Sequence, residues 1–176
     1  PIDPHKKFNT KKHIVMIHGY LGGGDYPFAG FGLSLCQNFA DRWQLGLGVH
    51  YIGQTGNYNT VTFPDQQIVP LTVDFRWKFS QSLQGRGATF LCLSTGYNFT
   101  LNKKHFNAEK NLDMRITNGL FFNPCIAFRF NVFDNTGLML DLGYQLTTSS
   151  LFNAQTDERI GKKQWHNFAA RGTLFF

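Results

Sequence analysis

The sequence predicts an all-β protein, an eight-stranded antiparallel up-and-down transmembrane β-barrel with a small, filled lumen. Three observations support this prediction. Apolar and polar residues alternate with a period of two along almost the whole chain, and no helical period competes with it. The 176 residues include 19 Phe and 18 Gly, and aromatic residues favour strands. The connections alternate between short turns and long polar segments, which is typical of membrane barrels.

The alternation divides the chain into eight predicted strands, of which the fourth is the clearest. These strands cover residues 13–22, 29–39, 43–53, 68–79, 87–99, 119–133, 138–149 and 165–176. In the fourth strand one face holds Val69, Leu71, Val73, Phe75, Trp77 and Phe79. The other face holds Pro70, Thr72, Asp74, Arg76 and Lys78. The sixth and seventh strands repeat this pattern, so each strand has one apolar and one polar face.

The predicted connections differ at the two ends of the barrel. Short turns follow the second, fourth and sixth strands, at 40–42, 80–86 and 134–137. Longer polar loops follow the third, fifth and seventh strands, at 54–67, 100–118 and 150–164. Only the connection at 22–27 is short at that second end. In outer-membrane barrels the short turns are periplasmic and the longer loops extracellular, so both termini are expected in the periplasm.

Alternation alone does not show which face is outside, because a soluble lipocalin-like barrel would hold its apolar face inward. The volume of the lumen separates the two alternatives, since eight strands enclose a space only just wide enough for side chains. The apolar set is bulky, whereas the opposite set on three strands is small. That small set is Gly30, Gly32, Ser34, Cys36, Gln44, Gly46, Gly48, Cys92, Ser94 and Gly96. We therefore expect the apolar face to point outward, into lipid.

Aromatic residues are expected to form two girdles at the edges of the apolar band. One girdle, near the short turns, consists of Phe39, Trp43, Trp77, Phe79, Phe130 and Phe176. The other, near the long loops, consists of Tyr51, Tyr97, Phe99, Phe122, Tyr144 and Trp165. Pro70 and Pro124 lack an N–H for the ladder, so both are expected at bulges or near the upper rim.

Charged residues on the inward face predict a polar network in the lumen. The set is Asp74, Arg76, Lys78, Arg129, Asp141 and Arg171. An unpaired charge in a narrow lumen is very costly, so we expect Arg129 and Arg171 to flank Asp141, and Asp74 to lie near Arg76. An ion or proton path is the alternative interpretation. The small lumen favours a plug that closes the barrel.

The remaining polar residues exclude several functions. The net charge is +6, and part of it lies in residues 1–12, which we interpret as a basic periplasmic tail before the barrel at 13–176. The other basic residues are scattered, which argues against a nucleic-acid partner. The three cysteines, Cys36, Cys92 and Cys125, have no metal-ligand spacing, so neither a metal nor a cofactor is expected.

A hydrolase of outer-leaflet lipid A or phospholipid is the enzymatic alternative, although no sequence motif specifically indicates it. Such an enzyme needs a serine and a histidine within hydrogen-bond reach and a carboxylate that orients the histidine. His166 starts the last predicted strand, and Ser149 and Ser150 end the strand before it. Asp157 and Glu158 lie in the loop between them. No catalytic residue is assigned, and whether the protein is an enzyme stays open.

Several segments resemble the small outer-membrane β-barrel proteins of Bacteroidota. They are IVPLTVDFRWKF at 68–79, TGYNFT at 95–100, GLFFNPCIAFRFNV at 119–132, LMLDLGYQL at 138–146 and ARGTLFF at 170–176. The resemblance covers about residues 13–176. It implies an OmpA-type barrel, and it implies that Phe176 is the C-terminal aromatic that the barrel-assembly machinery recognises. It implies no activity, because that family is functionally heterogeneous.

The sequence therefore predicts a non-enzymatic barrel of the bacterial outer membrane with a structural or accessory role, as a subunit of a larger complex. The expected partners are outer-membrane lipid, lipopolysaccharide and another outer-membrane protein. A barrel that binds a ligand or a host surface through its long loops is a further alternative. Its candidate contacts are the loop lysines Lys103, Lys104, Lys110, Lys162 and Lys163.

Overall fold

A computed structural model describes residues 13–25, 27–58, 61–82, 86–102, 104–107, 112–133 and 136–176. The tail at 1–12 lies outside the described residues, as do Lys103 and Lys110. The strands are β1 (His13–Gly24), β2 (Phe28–Ala40), β3 (Trp43–Tyr58), β4 (Val61–Gln81), β5 (Gly87–Thr100), β6 (Lys104–Asn107), β7 (Leu112–Ile116), β8 (Gly119–Asn131), β9 (Gly137–Asn153) and β10 (Arg159–Phe175). Within these ranges, no helix has the length and apolarity needed to cross a membrane.

Eight of these strands close into an antiparallel barrel, which confirms the predicted fold class. Their order is β1-β2-β3-β4-β5-β8-β9-β10, and β10 pairs with β1. The other two strands, β6 and β7, form a hairpin that pairs with the end of β9. A path across the register from Ile14 goes once around the barrel and returns to β1 at Gly24, ten residues further along. This offset tilts the strands and keeps the lumen narrow.

The long segments predicted as polar loops are mostly strand, so that part of the prediction is wrong. β3 and β4 together cover most of 54–67, and β6 and β7 lie within 100–118. β9 extends to Asn153, and β10 begins at Arg159. Backbone pairing continues above the apolar band, where neither face of a strand has to be apolar. The alternation of apolar and polar residues therefore ends before the strands do.

The two faces of the wall are as the sequence predicts. Bulky apolar side chains point outward and are exposed, for example Leu47 at 68% and Phe31 at 65%. Their polar neighbours on the other face are buried, and Asp74 is only 1% exposed. An apolar surface of this extent around the whole wall requires an apolar surrounding such as a lipid bilayer.

The aromatic residues follow the predicted girdles with one exception. Phe39, Phe79, Phe130, Phe176, Tyr97, Phe99 and Phe122 are exposed, and Trp43, Trp77, Tyr51 and Tyr144 are half-buried. Trp165 is only 2% exposed and points into the lumen, so its place in the outer girdle was wrong. It shares the inward face of β10 with Arg171, six residues further along, because residues separated by an even number share a face.

The two prolines do not lie at bulges, which were one of the two positions predicted for them. The β3–β4 register is the same on both sides of Pro70, and the β8–β9 register is the same on both sides of Pro124. At each proline the affected ladder, β3–β4 or β8–β9, loses a few pairs and keeps its register, because proline has no N–H to donate. The register shifts occur elsewhere, at Asn38/Ala40, Gln54/Gly56, Lys78/Ser80 and Arg159/Gly161.

The lumen is filled in three layers. Toward the short turns lies a lower apolar layer that consists of Ile14, Met16, Cys36, Ala88, Phe90, Cys92, Cys125, Ala127, Met139 and Phe175. Toward the long hairpins lies an upper apolar layer that consists of Tyr20, Phe28, Ile52, Ile68, Phe121 and Ala169. Buried polar residues lie between the two and also occupy inward positions at the level of each layer, for example Arg129 in the lower one and Asn167 in the upper one.

Candidate functional site

Nine of the buried residues with polar groups form one hydrogen-bonded chain, which we call the lumen network. Six strands of the barrel contribute to it through inward-facing positions. Its members are His18, Tyr20, Ser34, His50, Thr72, Asp74, Asp141, Arg171 and Thr173. All nine are buried.

Asp74 is the acceptor at the centre of the lumen network. The Ser34 hydroxyl donates to Asp74 Oδ2 at 2.8 Å, and the Thr72 hydroxyl donates to Asp74 Oδ1 at 3.2 Å. Ser94 also forms a side-chain hydrogen bond with this carboxyl group. A buried carboxylate is stable only when several donors satisfy its oxygens, and these three hydroxyl groups do so.

Each arm of the lumen network continues through a histidine. His18 Nε2 lies 2.9 Å from Ser34 Oγ, and His18 Nδ1 lies 2.9 Å from Thr173 Oγ1. His50 Nε2 lies 2.9 Å from Thr72 Oγ1. Because Ser34 and Thr72 give their protons to Asp74, each can only accept from its histidine. Both imidazoles therefore carry a proton on Nε2, and each Nδ1 accepts from the next hydroxyl.

The second arm ends in an ion pair. The Tyr20 hydroxyl donates to His50 Nδ1 at 2.6 Å, and Arg171 Nη1 donates to the Tyr20 oxygen at 3.4 Å. Arg171 Nε donates to Asp141 Oδ2, and the two residues lie directly opposite each other on β10 and β9. Asp141 and Arg171 thus form the ion pair that is expected for opposite charges on neighbouring strands. Along both arms each donor group points toward Asp74, so the dipoles of the hydrogen bonds are aligned.

Glycines on β2 and β3 provide the space that the two histidines occupy. A Cβ atom on Gly48 would lie 2.6 Å from His50 Nε2, 2.6 Å from Thr72 Oγ1 and 2.7 Å from Ser34 Oγ. A Cβ atom on Gly32 would lie 2.1 Å from His50 Nδ1. No larger side chain fits at either position without displacing the lumen network.

The structure places the other predicted lumen charges nearer the short turns. Arg76 is buried, and its Nη1 contacts Met16 Sδ. The guanidinium of Arg129 lies 3.7 Å from the centre of the Phe175 ring. Arg129 pairs in register with Met139 and not with Asp141, whose partner on β8 is Ala127, so the expected flanking of Asp141 by Arg129 is not observed.

Lys78 is half-buried at the short-turn end of β4. Its Nζ donates to Gln81 Oε1 at 2.9 Å. The hydrogen bonds that link the nine members of the lumen network do not include it.

Six members of the lumen network were not among the predicted site residues. They are His18, Tyr20, Ser34, His50, Thr72 and Thr173. Each occupies an inward position of its strand, which is the one signal that the sequence offers. Their partners are far along the chain, and Thr173 is 155 residues from His18. Such partners follow only from the register of the closed barrel.

The geometry of the hydrolase alternative is not present in the described residues. His166 points outward, where its Nδ1 contacts the Tyr144 hydroxyl. Ser149 is buried on the inward face of β9 and lies opposite Lys163. Ser150 lies opposite Lys162, and Asp157 forms an ion pair with Arg115. Ser149 is therefore on the opposite face of the wall from His166. Ser150 shares the outward face with His166, but His166 lies opposite Leu146, which is four residues, or about 13 Å, away from Ser150 along β9.

The remaining predicted residues lie at ordinary positions in the wall. Phe176 is exposed, and its backbone pairs with Val15 through hydrogen bonds of 3.0 and 3.2 Å. Its role as an assembly signal stays a prediction. The three cysteines are buried thiols without a disulfide, and Cys92 lies directly opposite Cys125.

Solved structures with the same fold are proteins of bacterial surfaces. The outer membrane protein OprG from Pseudomonas aeruginosa is similar with a TM-score of 0.60 and 12% identity, over 96% of this chain and 97% of that one. Neisserial surface protein A has a TM-score of 0.53 and 10% identity, over 93% and 94%. Ail, the attachment invasion locus protein of Yersinia pestis, has a TM-score of 0.51 and 11% identity, over 95% and 100%.

At these identities the similarity concerns the fold, which is that of a small outer-membrane β-barrel. No protein-family model matches the chain, and no curated protein matches it either. The resemblance to the Bacteroidota barrels and to the OmpA type stays a prediction.

Proposed function

We propose that this protein is a non-enzymatic barrel of the bacterial outer membrane with a structural or accessory role, and that it is a subunit of a larger outer-membrane complex. The filled lumen is the observation that carries the proposal. A barrel that neither conducts nor catalyses must act through its outer wall or through the hairpins above the membrane.

The three layers of the lumen support a closed barrel. Apolar side chains lie above and below the lumen network and fill the lumen together with buried polar residues, so an ion would have to be transferred out of water to pass through. That transfer is very unfavourable for a charged species. The lumen network is then a structural plug that fixes the positions of the strands, and it connects residues on six of the eight strands in the barrel.

The outward face supports residence in the membrane. Under this proposal the short turns, the start of β1 and the end of β10 face the periplasm, and the long hairpins face the outside, as in outer-membrane barrels generally. The apolar band contacts lipid, and the exposed Lys162 of the β9–β10 hairpin faces the phosphates of lipopolysaccharide. Another outer-membrane protein is the proposed stable partner.

Conductance measurements on the purified barrel test the closed lumen. We expect no discrete current steps when the barrel is inserted into a planar bilayer. A variant that shortens both apolar layers, Phe90→Ala with Phe121→Ala, should conduct if those layers close the lumen. Discrete steps from the unmodified protein would contradict the proposal.

Extraction of native membranes with a mild detergent tests the accessory role. We expect the protein to migrate in a complex of constant stoichiometry with one other outer-membrane protein, and we expect that protein to become unstable when this chain is deleted. A monomer without a partner, together with an unaffected membrane proteome, would contradict the accessory role.

A further inference from the structure

The wall of the barrel has a notch above the short connection between β1 and β2. The β1–β10 ladder ends at Gly24 and Asn167, and the β2–β3 ladder ends at Phe28 and Gln54. β10 and β3 both continue beyond these pairs, and in the described residues no strand pairs with them on the side of the notch. Two strand edges therefore border the notch.

The edge of β10 presents backbone groups to the notch in a regular order. Asp25 N–H donates to His166 O at 3.0 Å, and His166 N–H donates to Asp25 Oδ2 at 2.9 Å. The backbone groups of His166 thus point toward β1. Because the direction alternates along a strand, those of Gln164 and Lys162 point the same way, into the notch. The register between β10 and β9 is continuous from Gly161 to Phe175, so this alternation is not shifted.

Asp25 ends the β1–β10 ladder in a way that leaves room for a further strand. Its carboxylate takes the place of a backbone carbonyl, and the chain then turns away toward β2. Above this point the edge from Arg159 to Trp165 is roughly 20 Å long at the usual rise per residue. An exposed edge of that length is a template for strand addition.

Charge selects among the strands that could be added. The edge carries Arg159, Lys162 and Lys163 and no acidic residue between Arg159 and Trp165. A second copy of the same edge would place lysine against lysine, and edge lysines are a common means of preventing such self-pairing. The basic tail at 1–12 joins the barrel at His13, at the opposite end of β1 from the notch. An acidic strand from another protein fits best.

We propose that an extended, acidic segment of a second outer-membrane protein pairs with the edge of β10 at Lys162 and Gln164. This inference rests on the proposed accessory function and deepens it. The backbone groups of Lys162 and Gln164 form the ladder with the added strand. The side chain of Lys162, which is exposed on the outer face, contacts a carboxylate of that strand.

Two substitutions at one position separate the backbone from the side chain. Lys162→Pro removes the N–H that points into the notch and leaves the pairing with β9 intact, since proline is tolerated on an edge. Lys162→Thr keeps that N–H and removes only the charge. We expect Lys162→Pro to weaken the complex more than about tenfold, because a ladder rung is lost and the ring obstructs the strand. Lys162→Thr should weaken it less than about fivefold.

The experiment is performed on the complex extracted from native membranes, with unchanged heat-modifiable gel migration as the control for folding of each variant. Hydrogen exchange with residue resolution is then compared between this complex and the separated barrel. We expect the amides of Lys162 and Gln164 to exchange at least tenfold more slowly in the complex. The Lys163 amide, which faces β9, should be protected in both.

The outcomes distinguish this inference from the proposed function. A complex that withstands Lys162→Pro, with Lys162 and Gln164 exchanging equally fast in both samples, would overturn strand addition and leave the accessory role standing. The absence of any partner for the unmodified protein would overturn both. Loss of the complex with Lys162→Thr alone would show a contact through the side chain and would also overturn strand addition.

Discussion

Replacement of Asp74 by alanine should lower the free energy of unfolding by about 3–5 kcal/mol, which is the usual cost of removing one partner from a buried charged group. A count of hydrogen bonds gives a similar figure. Asp74 accepts from Ser34 at 2.8 Å and from Thr72 at 3.2 Å, and each bond to a charged group contributes roughly 1.5–3 kcal/mol. The hydroxyls of Ser34, Thr72 and Ser94 would lose their acceptor, and the buried arginines would lose a nearby negative charge.

Asp157→Ala is the control, because it removes the same carboxylate at an exposed position; the positive φ of 58° at this residue adds about 1 kcal/mol for alanine. The pair Arg115–Asp157 has side-chain exposures of 40% and 75%, so its loss should cost no more than about 1 kcal/mol. Urea unfolding in lipid vesicles, followed by tryptophan fluorescence and gel migration, measures both variants. If Asp74→Ala costs no more than Asp157→Ala, the lumen network does not hold the barrel together and the reasoning fails.

Three further predictions follow from the packing of the wall. Gly48→Ala should lower the free energy of unfolding by about 1–3 kcal/mol, because the new methyl group would collide with the lumen network. Gly19→Ala faces open space and should change this free energy by less than about 0.5 kcal/mol. Equal effects of the two substitutions in the same unfolding assay would argue against tight packing. None of the three buried cysteines should react with a maleimide in the folded barrel, and all should react after unfolding; labelling of one thiol in the folded protein, measured by mass spectrometry, would show that the lumen admits solute. In a bilayer, Leu142→Arg should lower the free energy of unfolding by about 2–4 kcal/mol, and Gln164→Arg should lower it by less than about 1 kcal/mol. A larger effect of Gln164→Arg would mean that the apolar band does not include Leu142.

Strand positions and the outward face could be predicted because they depend on local alternation. Leu71, Val73 and Phe75 point outward in the structure, as the period of two requires. The upper parts of β3 and β4 could not be predicted in the same way. The segments 54–57 and 64–67 contain hardly any apolar residue, so the alternation that identifies a strand is missing there. Trp165 was predicted in the outer girdle because it is aromatic, but it lies on the inward face of β10 together with Arg171. The face of the strand on which a residue lies therefore predicts its direction better than its aromatic character does.

The candidate site could be predicted only in its charges. Asp74, Asp141 and Arg171 stand out because a charge at an inward position is unusual. His18 and His50 are neutral partners whose role depends on residues from other strands. Which residues meet across the lumen is set by the offset of ten residues around the barrel, and this offset does not appear in any single strand.

The hydrogen bond between His18 and Thr173 crosses the seam where the first and last strands meet. Its two residues are separated by nearly the whole chain, so they can come together only after every intervening strand has found its neighbour. Contacts of such long range slow folding, because the entropy of closing the chain is lost before they form. The hydrogen bonds that cross this seam are therefore expected to form late, and the time course of their formation would report when the membrane-inserted sheet becomes a cylinder.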